Sequence, residues 1–194
     1  PGITRSQLTH RNLVYSHSFD VHFDNVRLSA DNILGGRTAW NKGWRALAGR
    51  SLDVEKVEVA AMTFGLAQAT VEEAWEYAQQ RQQFGKPISG HQAVRHELVQ
   101  AKTQLEACRH MLYHAAWLVD QGRPASVETS MAKLFIGDVG VEIGLACQRV
   151  LGAYGMGEEF DMMQNVTDLI GMPIVGGSSN MQLNNIANRL GLAG

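Results

Sequence analysis

The 194-residue sequence lacks the features that mark several protein classes. Its two cysteines, Cys108 and Cys147, are too few for a disulfide-stapled domain, and both lie in apolar helical patterns. We therefore expect packed thiols in a reducing compartment. A net charge of −2 offers no basic surplus for nucleic acid or an anionic membrane surface. No apolar run reaches the length that crosses a bilayer.

Motifs for metal binding, nucleophilic catalysis and nucleotide binding are also missing. Of the seven histidines, His110 and His114 form an i, i+4 pair with no third ligand nearby in the sequence. We interpret them as a surface pair and predict no metal site. There is no G-x-S-x-G segment, and the glycine-rich stretches lack the strand-then-helix setting of a nucleotide-binding loop.

Helical periodicity fills most of the chain. It predicts helices over residues 41–83, 90–121, 126–153 and 178–190, with a short piece around 160–170. The clearest pattern runs from Val94 to Val119, where apolar residues recur in the 4-3-4-3 rhythm of a bundle seam. The prediction is an all-α, antiparallel four-helix bundle over residues 37–194, preceded at residues 1–36 by the remnant of a β-domain and a linker.

The amino-terminal residues carry a weaker signal. Phe19, Val21 and Phe23 alternate with polar residues, which predicts a strand within 17–28 that turns at Asp24-Asn25. The polar residues 1–19 show no strong period, and we expect them to be partly irregular. A lone strand pair is not a stable sheet, so we expect it to pack on the helices or to stay exposed.

One carboxylate stands out on the first long helix. Leu52, Val59, Met62 and Leu66 form an apolar stripe at helical spacing, and Glu55 falls on that stripe. By itself the pattern fits a glutamate that snorkels at the rim of a bundle.

Four segments, in order, resemble the acyl-CoA dehydrogenase family. Arg81-Gln-Gln-Phe84-Gly85, followed by Ile88 and His91-Gln92, looks like its flavin-contacting turn. FDNVRLSADNILG at 23–35 looks like the end of its middle domain, LGAYG at 151–155 like its L-G-G-x-G turn, and IVGGSSNMQ at 174–182 like its active-site loop. The resemblance covers roughly residues 16–192. It implies an FAD-dependent dehydrogenase that oxidises a short or branched acyl-CoA to the 2,3-enoyl-CoA.

The resemblance also implies which residue is the catalytic base. Most of the family places a glutamate in the loop before the last helix, where this chain has Gly176. A minority branch that includes isovaleryl-CoA dehydrogenase has glycine there and a glutamate on the long helix, in a sequence similar to Leu52-Asp-Val-Glu55-Lys. Glycine at 176 and glutamate at 55 match that branch together. We therefore expect Glu55 to be the base, with Asp53, Lys56 and Gly177 as substrate-side neighbours.

Ten positions align with the family's flavin contacts. They are Arg81, Gln83, Phe84, His91, Gln92, Arg149, Gly152, Ala153, Ser178 and Asn180. The resemblance implies that Arg81 holds the pyrophosphate. Several positions depart from the family pattern: Arg149 stands where the family has Gln, Ala153 where it has Gly, Ser178 where it has Thr, Asn180 where it has Glu or Gln, and Thr167 where it has Arg. These departures weaken the expected contacts to the adenine side.

The resemblance further implies a homo-oligomer, dimer or tetramer, an acyl-CoA substrate and electron-transfer flavoprotein as the electron acceptor. The expected location is the bacterial cytoplasm or the mitochondrial matrix, and the chain is expected to be a carboxyl-terminal piece of a longer protein. Three alternatives stay open. They are a desulfinase-type relative without net dehydrogenation, a non-catalytic partner subunit of a hetero-oligomeric dehydrogenase, and a helical bundle whose function is assembly.

Overall fold

The structure is a computed structural model that describes residues 2–192, without the side chains of residues 45 and 46. The chain divides into two compact units, one ending at Leu52 and the other beginning at Asp53. The boundary predicted between residues 36 and 37 stays a prediction.

The first unit contains an antiparallel strand pair. β1 (Ile3–Leu8) pairs with β2 (Ser18–Phe23), with Ile3 opposite Phe23 and Leu8 opposite Ser18. The predicted strand is confirmed by β2. Residues 1–19 are partly irregular, as expected, because residues 9–17 form neither helix nor strand, but the strand β1 was not predicted. Thr4 to Gln7 are polar, so β1 has no apolar period, and its conformation comes from the hydrogen-bond ladder with β2.

Between the strands and the bundle lie short helical turns. Two 3₁₀ turns, Ala30–Asn32 and Arg37–Ala39, precede α1 (Gly43–Leu47). The single helix predicted over 41–83 is therefore wrong at its start, because Ala48 and Gly49 separate α1 from the next helix. Glycine is the poorest helix former after proline, which accounts for the break.

The second unit is the predicted helical bundle. α2 (Arg50–Gln80), α3 (Gln92–Asp120), α4 (Ser126–Leu151) and α6 (Ser179–Arg189) confirm the four predicted helices, and α5 (Met162–Gly171) is the short piece expected near 160–170. Ser178 caps α6, where its hydroxyl accepts the Met181 N–H. No helix in residues 2–192 is both long and apolar enough to cross a membrane.

The core lies between α2, α3 and α4. The predicted seam of α3 is confirmed, because its apolar residues are buried: Leu98, Ala101, Leu105, Cys108, Leu112 and Ala115. Fully burying a leucine side chain such as Leu105 contributes about 1.5–3 kcal/mol. The thiols of Cys108 and Cys147 are free and buried in this core, as predicted.

Glycines on α4 allow close packing at the centre of the bundle. A Cβ at Gly140 would lie 2.8 Å from Thr63 Cγ2, and one at Gly144 would lie 2.7 Å from Leu169 Cδ1. Side chains from α2 and α5 therefore fill the space that these two glycines leave open.

The buried face of α2 is rotated from the predicted stripe. Val59 is buried, but Met62 is 53% exposed and Leu66 is half-buried. Small residues make up much of the observed face: Ala60, Thr63, Ala67, Thr70, Ala74 and Ala78. The prediction weighted large apolar residues, whereas close helix packing here favours small ones. Glu55 consequently lies at the exposed edge of the face and not within it.

Candidate functional site

The first cluster forms where the loop between α5 and α6 meets the start of α2. Gly176 has a φ of +64°, and a Cβ there would lie 2.8 Å from Val59 Cγ2. Val59 is one helical turn beyond Glu55, so Glu55 and the loop share a neighbour. The Glu55 side chain is exposed, and it forms no ion pair with any of the side chains that the structure describes.

Three donors hold the backbone of this loop in place. Lys133 Nζ donates to the Pro173 carbonyl at 3.2 Å, and the Ser179 N–H donates to the same oxygen at 2.9 Å. Gln182 Nε2 donates to the Gly177 carbonyl at 2.9 Å and lies 3.4 Å from that of Gly176. The loop conformation is therefore fixed from both α4 and α6.

Lys133 was missed by the sequence reasoning. It is only 1% exposed, and burial lowers the pKa of its ammonium group, against the charge of Asp138, which raises it. The available signal was a lysine between Ala132 and Leu134 on an apolar helix, which predicts burial but does not identify the group it binds.

The predicted substrate-side neighbours of Glu55 lie in two different settings. Lys56 Nζ is 3.1 Å from Asp53 Oδ1, and the Thr129 hydroxyl donates to the same oxygen at 3.3 Å. Asp53 and Lys56 thus form an ion pair beside Thr129 of α4, and Lys56 is buried. Gly177 is exposed, with a φ of +88°. A substrate contact from any of the three stays a prediction.

The second cluster lies beyond the carboxyl end of α2. Gln82–Gln83 (β3) and Lys86–Pro87 (β4) form a short hairpin. Phe84 and Gly85, at φ +52° and +80°, make its two-residue turn, as a type I′ turn requires. Phe84 is 91% exposed at the tip. The His91 ring meets it edge-on at 6.0 Å, and His91 Nε2 lies 3.3 Å from the Gln83 carbonyl.

Arg81 faces the turn that follows α4. This turn is a 3₁₀ helix, Gly152–Met156, and the Arg81 guanidinium carbon lies 4.9 Å from the centre of the Tyr154 ring. Both side chains line a cavity of about 650 Å³. The sequence reasoning missed Tyr154, because it weighed only the glycines and Ala153 of this turn.

The remaining residues predicted to contact the flavin do not all lie in one cluster. Arg149 Nε donates to Glu97 Oε1 at 3.2 Å, so Arg149 is engaged across the α3–α4 contact. Gln92 Nε2 lies 3.4 Å from His96 Nε2. Gly152 and Ala153 are exposed in the turn beside Tyr154. Ser178 and Asn180 lie at the start of α6, with the Gly176 cluster and away from Arg81.

The two clusters lie at opposite ends of α2. Glu55 and Arg81 are 26 positions apart on one helix and the residue after it. At about 1.5 Å per residue their separation along the axis is about 39 Å. Among residues 2–192 no group of three His, Cys, Asp or Glu side chains is placed to hold a metal ion.

Comparison with known proteins shows which family the chain belongs to. The family profile described as "Acyl-CoA dehydrogenase, C-terminal domain" matches residues 41–191. The chain belongs to the acyl-CoA dehydrogenase family. It is 32% identical over 184 residues to the short-chain specific acyl-CoA dehydrogenase of Megasphaera elsdenii, covering 94% of this chain and 47% of that protein.

Two solved structures share this fold. A glutaryl-coenzyme A dehydrogenase bound to glutaryl-CoA superposes with a TM-score of 0.90 at 32% identity, covering all of this chain and 48% of the other. The FAD complex of PigA gives a TM-score of 0.88 at 30% identity, covering all of this chain and 50% of the other. The chain thus spans about half the length of the family members it matches.

Proposed function

We propose that this chain is the helical part of an FAD-dependent acyl-CoA dehydrogenase, with Glu55 as the catalytic base. The observation that carries the proposal is that Val59, one turn from Glu55, fills the space beside Gly176. In the reaction the Glu55 carboxylate would take the α-proton of the thioester, and a 2,3-double bond would form as the β-carbon gives a hydride to the acceptor that bound FAD would supply.

The geometry favours a base on the helix over a base on the loop. A side chain at position 176 would meet Val59 and would need a left-handed backbone conformation. Glu55 is exposed and forms no ion pair in the described part of the chain, so its carboxylate is free to accept a proton.

The second cluster fits the phosphates of FAD. The Arg81 guanidinium forms no ion pair within residues 2–192, so its N–H donors are available to a pyrophosphate. Phe84 offers an exposed ring, and at Gly152 no other side chain stands within 4 Å of the space a Cβ would take. When FAD is bound, Arg81 would hold its pyrophosphate, with Gln83, Phe84, His91 and Gln92 close to the cofactor.

The distance between the clusters supports an oligomer. About 39 Å along α2 is more than one flavin dinucleotide spans, so Glu55 and Arg81 of one copy serve two different flavins. In a homo-oligomer, a second copy would supply Arg81 to the flavin that lies beside Glu55 of the first copy. Light scattering is expected to show a dimer or tetramer, and a monomer at every concentration would contradict this assembly. Acyl-CoA as substrate and electron-transfer flavoprotein as electron acceptor belong to the same proposal.

The experiment that tests the base is Glu55→Gln in the full-length protein. We expect kcat to fall by about 10² to 10⁴, since that is the usual contribution of a positioned base. FAD content and thermal stability should be unchanged, because the side chain is exposed. The matched control is Glu58→Gln, an exposed glutamate on the same helix, which should keep its activity. Equal activity in the two variants would remove Glu55 from the reaction.

One observation favours a second function, the non-catalytic partner subunit. Arg149, at a predicted adenine-side position, is already paired with Glu97. Purified protein that contains no FAD and shows no dehydrogenase activity, yet binds a flavin-containing partner subunit, would support this reading. Stoichiometric FAD in the purified protein would contradict it.

A further inference from the structure

Arg81 is held by an aromatic ring and not by a carboxylate. Its guanidinium carbon lies 4.9 Å from the centre of the Tyr154 ring. Glu73, Glu76 and Glu159 line the same cavity, yet none of them forms an ion pair with Arg81. Among the side chains that the structure describes, the Tyr154 ring is therefore the only partner of this guanidinium.

The choice of partner decides what Arg81 can still bind. A carboxylate would occupy the planar fork of N–H donors and cancel the positive charge. An aromatic face attracts the guanidinium through its quadrupole and leaves the donors and the charge intact. Contact with Tyr154 therefore limits the movement of the side chain without using the groups that an anion requires.

The Tyr154 ring has supports of its own. Its centroid lies 6.2 Å from that of Tyr77, which meets the Phe160 ring edge-on at 5.7 Å. The Tyr77 carbonyl also accepts the Arg81 N–H at 2.8 Å, so one residue braces both the arginine backbone and the tyrosine ring. Tyr154 is nonetheless 52% exposed, which leaves the outer side of the pair open to a ligand.

We propose that Tyr154 is a positioning residue that holds the Arg81 guanidinium, still charged and unpaired, for the pyrophosphate of FAD. The inference rests on the proposed binding of FAD and adds a residue that acts through Arg81.

The first test compares FAD affinity in three variants of the full-length flavoprotein, measured by titrating apoprotein with FAD and following flavin fluorescence. Tyr154→Leu should raise the Kd by about 3- to 30-fold, the range of a cation–π contact. Tyr154→Phe keeps the ring and should stay within about twofold of the wild type. Tyr154→Glu places a carboxylate against the guanidinium and should weaken binding at least as much as Tyr154→Leu.

The second test asks whether Tyr154 acts through Arg81. If it does, the Kd of the Arg81→Ala, Tyr154→Leu double variant equals that of Arg81→Ala alone. Tyr113→Leu is the control, because Tyr113 is an exposed tyrosine on α3 that does not line this cavity. Thermal unfolding of each variant separates a loss of affinity from a loss of folded protein.

The outcomes separate the two proposals. If Arg81→Ala weakens FAD binding and Tyr154→Leu does not, Tyr154 has no positioning role and the proposed FAD site stands. If the losses from Arg81→Ala and Tyr154→Leu simply add, Tyr154 acts independently of Arg81 and the inference is wrong. If Arg81→Ala leaves FAD affinity unchanged, the proposed pyrophosphate contact fails, and the role of Tyr154 fails with it.

Discussion

Val59 and Gly176 depend on each other: the valine methyl group occupies the volume that a side chain at position 176 would need. A Cβ on Gly176 would lie 2.8 Å from Val59 Cγ2, and the backbone φ of +64° already favours glycine. The loop and the helix therefore cannot both carry a large side chain at this point. A glutamate at 176 would require a smaller residue at 59.

Gly176→Ala should lower the free energy of unfolding by about 2–4 kcal/mol, because it combines a left-handed backbone with overpacking. Urea denaturation measures the change. Gly85→Ala is the matched control, since Gly85 has a φ of +80° and no neighbour within 4 Å of the added methyl. The control should show the backbone cost alone. A Val59→Ala background should recover part of the loss at position 176, and equal losses with and without Val59 would contradict the steric explanation.

Moving the proposed base from Glu55 to the loop should need three substitutions. Glu55→Gly with Gly176→Glu alone is expected to stay inactive, because Val59 blocks the new side chain. Adding Val59→Ala should restore part of the kcat. The measurement is turnover with a short acyl-CoA, with FAD content as the control for folding. Recovery without the change at Val59 would mean that the loop adjusts freely.

Lys133 should make the free energy of unfolding depend on pH in the alkaline range. Burial lowers its pKa in the folded protein below the ordinary 10.5, so the unfolded chain holds this proton more tightly. The contribution of Lys133 to the free energy of unfolding therefore rises as the pH increases from below the pKa of the folded protein towards 10.5. The difference in unfolding free energy between wild type and Lys133→Met should shift in favour of the wild type over that range. A difference independent of pH would contradict the assignment.

Glu73 should make the free energy of unfolding depend on pH in the acidic range. Burial raises the pKa of its carboxyl above 4.5, the charge of Asp161 adds to this, and the hydrogen bond from the Asp161 N–H opposes it. A raised carboxyl pKa favours the folded state fully below pH 4.5, and this contribution is lost as pH rises through the folded value. Glu73→Gln should therefore be more stable than wild type at pH 7, and the gap should close below pH 4.5. Thermal unfolding at pH 4 and pH 7 tests the sign.

The two cysteines should be unreactive in the folded protein. Burial raises the pKa of Cys108 to about 11 and that of Cys147 to about 12. At pH 8 a thiol of pKa 11 is thiolate in about one molecule per thousand, so a thiol reagent should label neither residue until the protein unfolds. Mass spectrometry of labelled peptides, with and without denaturant, gives the answer. Rapid labelling of the native protein would mean that the bundle opens locally.

Local patterns predicted the parts of the fold that local chemistry determines. The seam of α3 repeats over 26 residues from Val94 to Val119; its three leucines are buried, and Val94 packs against the core. β1 escaped prediction because Thr4 to Gln7 carry no apolar period and are ordered by pairing with β2. The buried face of α2 was misplaced because close packing against the α4 glycines selects alanine and threonine, which the stripe had undervalued.

The sequence was enough to propose which residues belong to the candidate site, but not which residues they contact. Arg81 and Glu55 follow from resemblance to the family, whereas their neighbours come from elements distant in the chain. Nothing in the sequence near Lys133 identifies the Pro173 carbonyl as its acceptor. Likewise the stacking of Arg81 on Tyr154 depends on how α4 ends, which periodicity does not specify.

The continuity of α2 from Arg50 to Gln80 sets a rule for insertions and deletions. Removing one residue between Glu55 and Arg81 would turn the two ends by about 100° relative to each other and shorten their spacing by about 1.5 Å. Loss of seven residues would nearly restore the rotation but shorten the spacing by about 10 Å. The helix therefore fixes phase and length together, so this segment accepts many substitutions on its exposed side but no change in its number of residues.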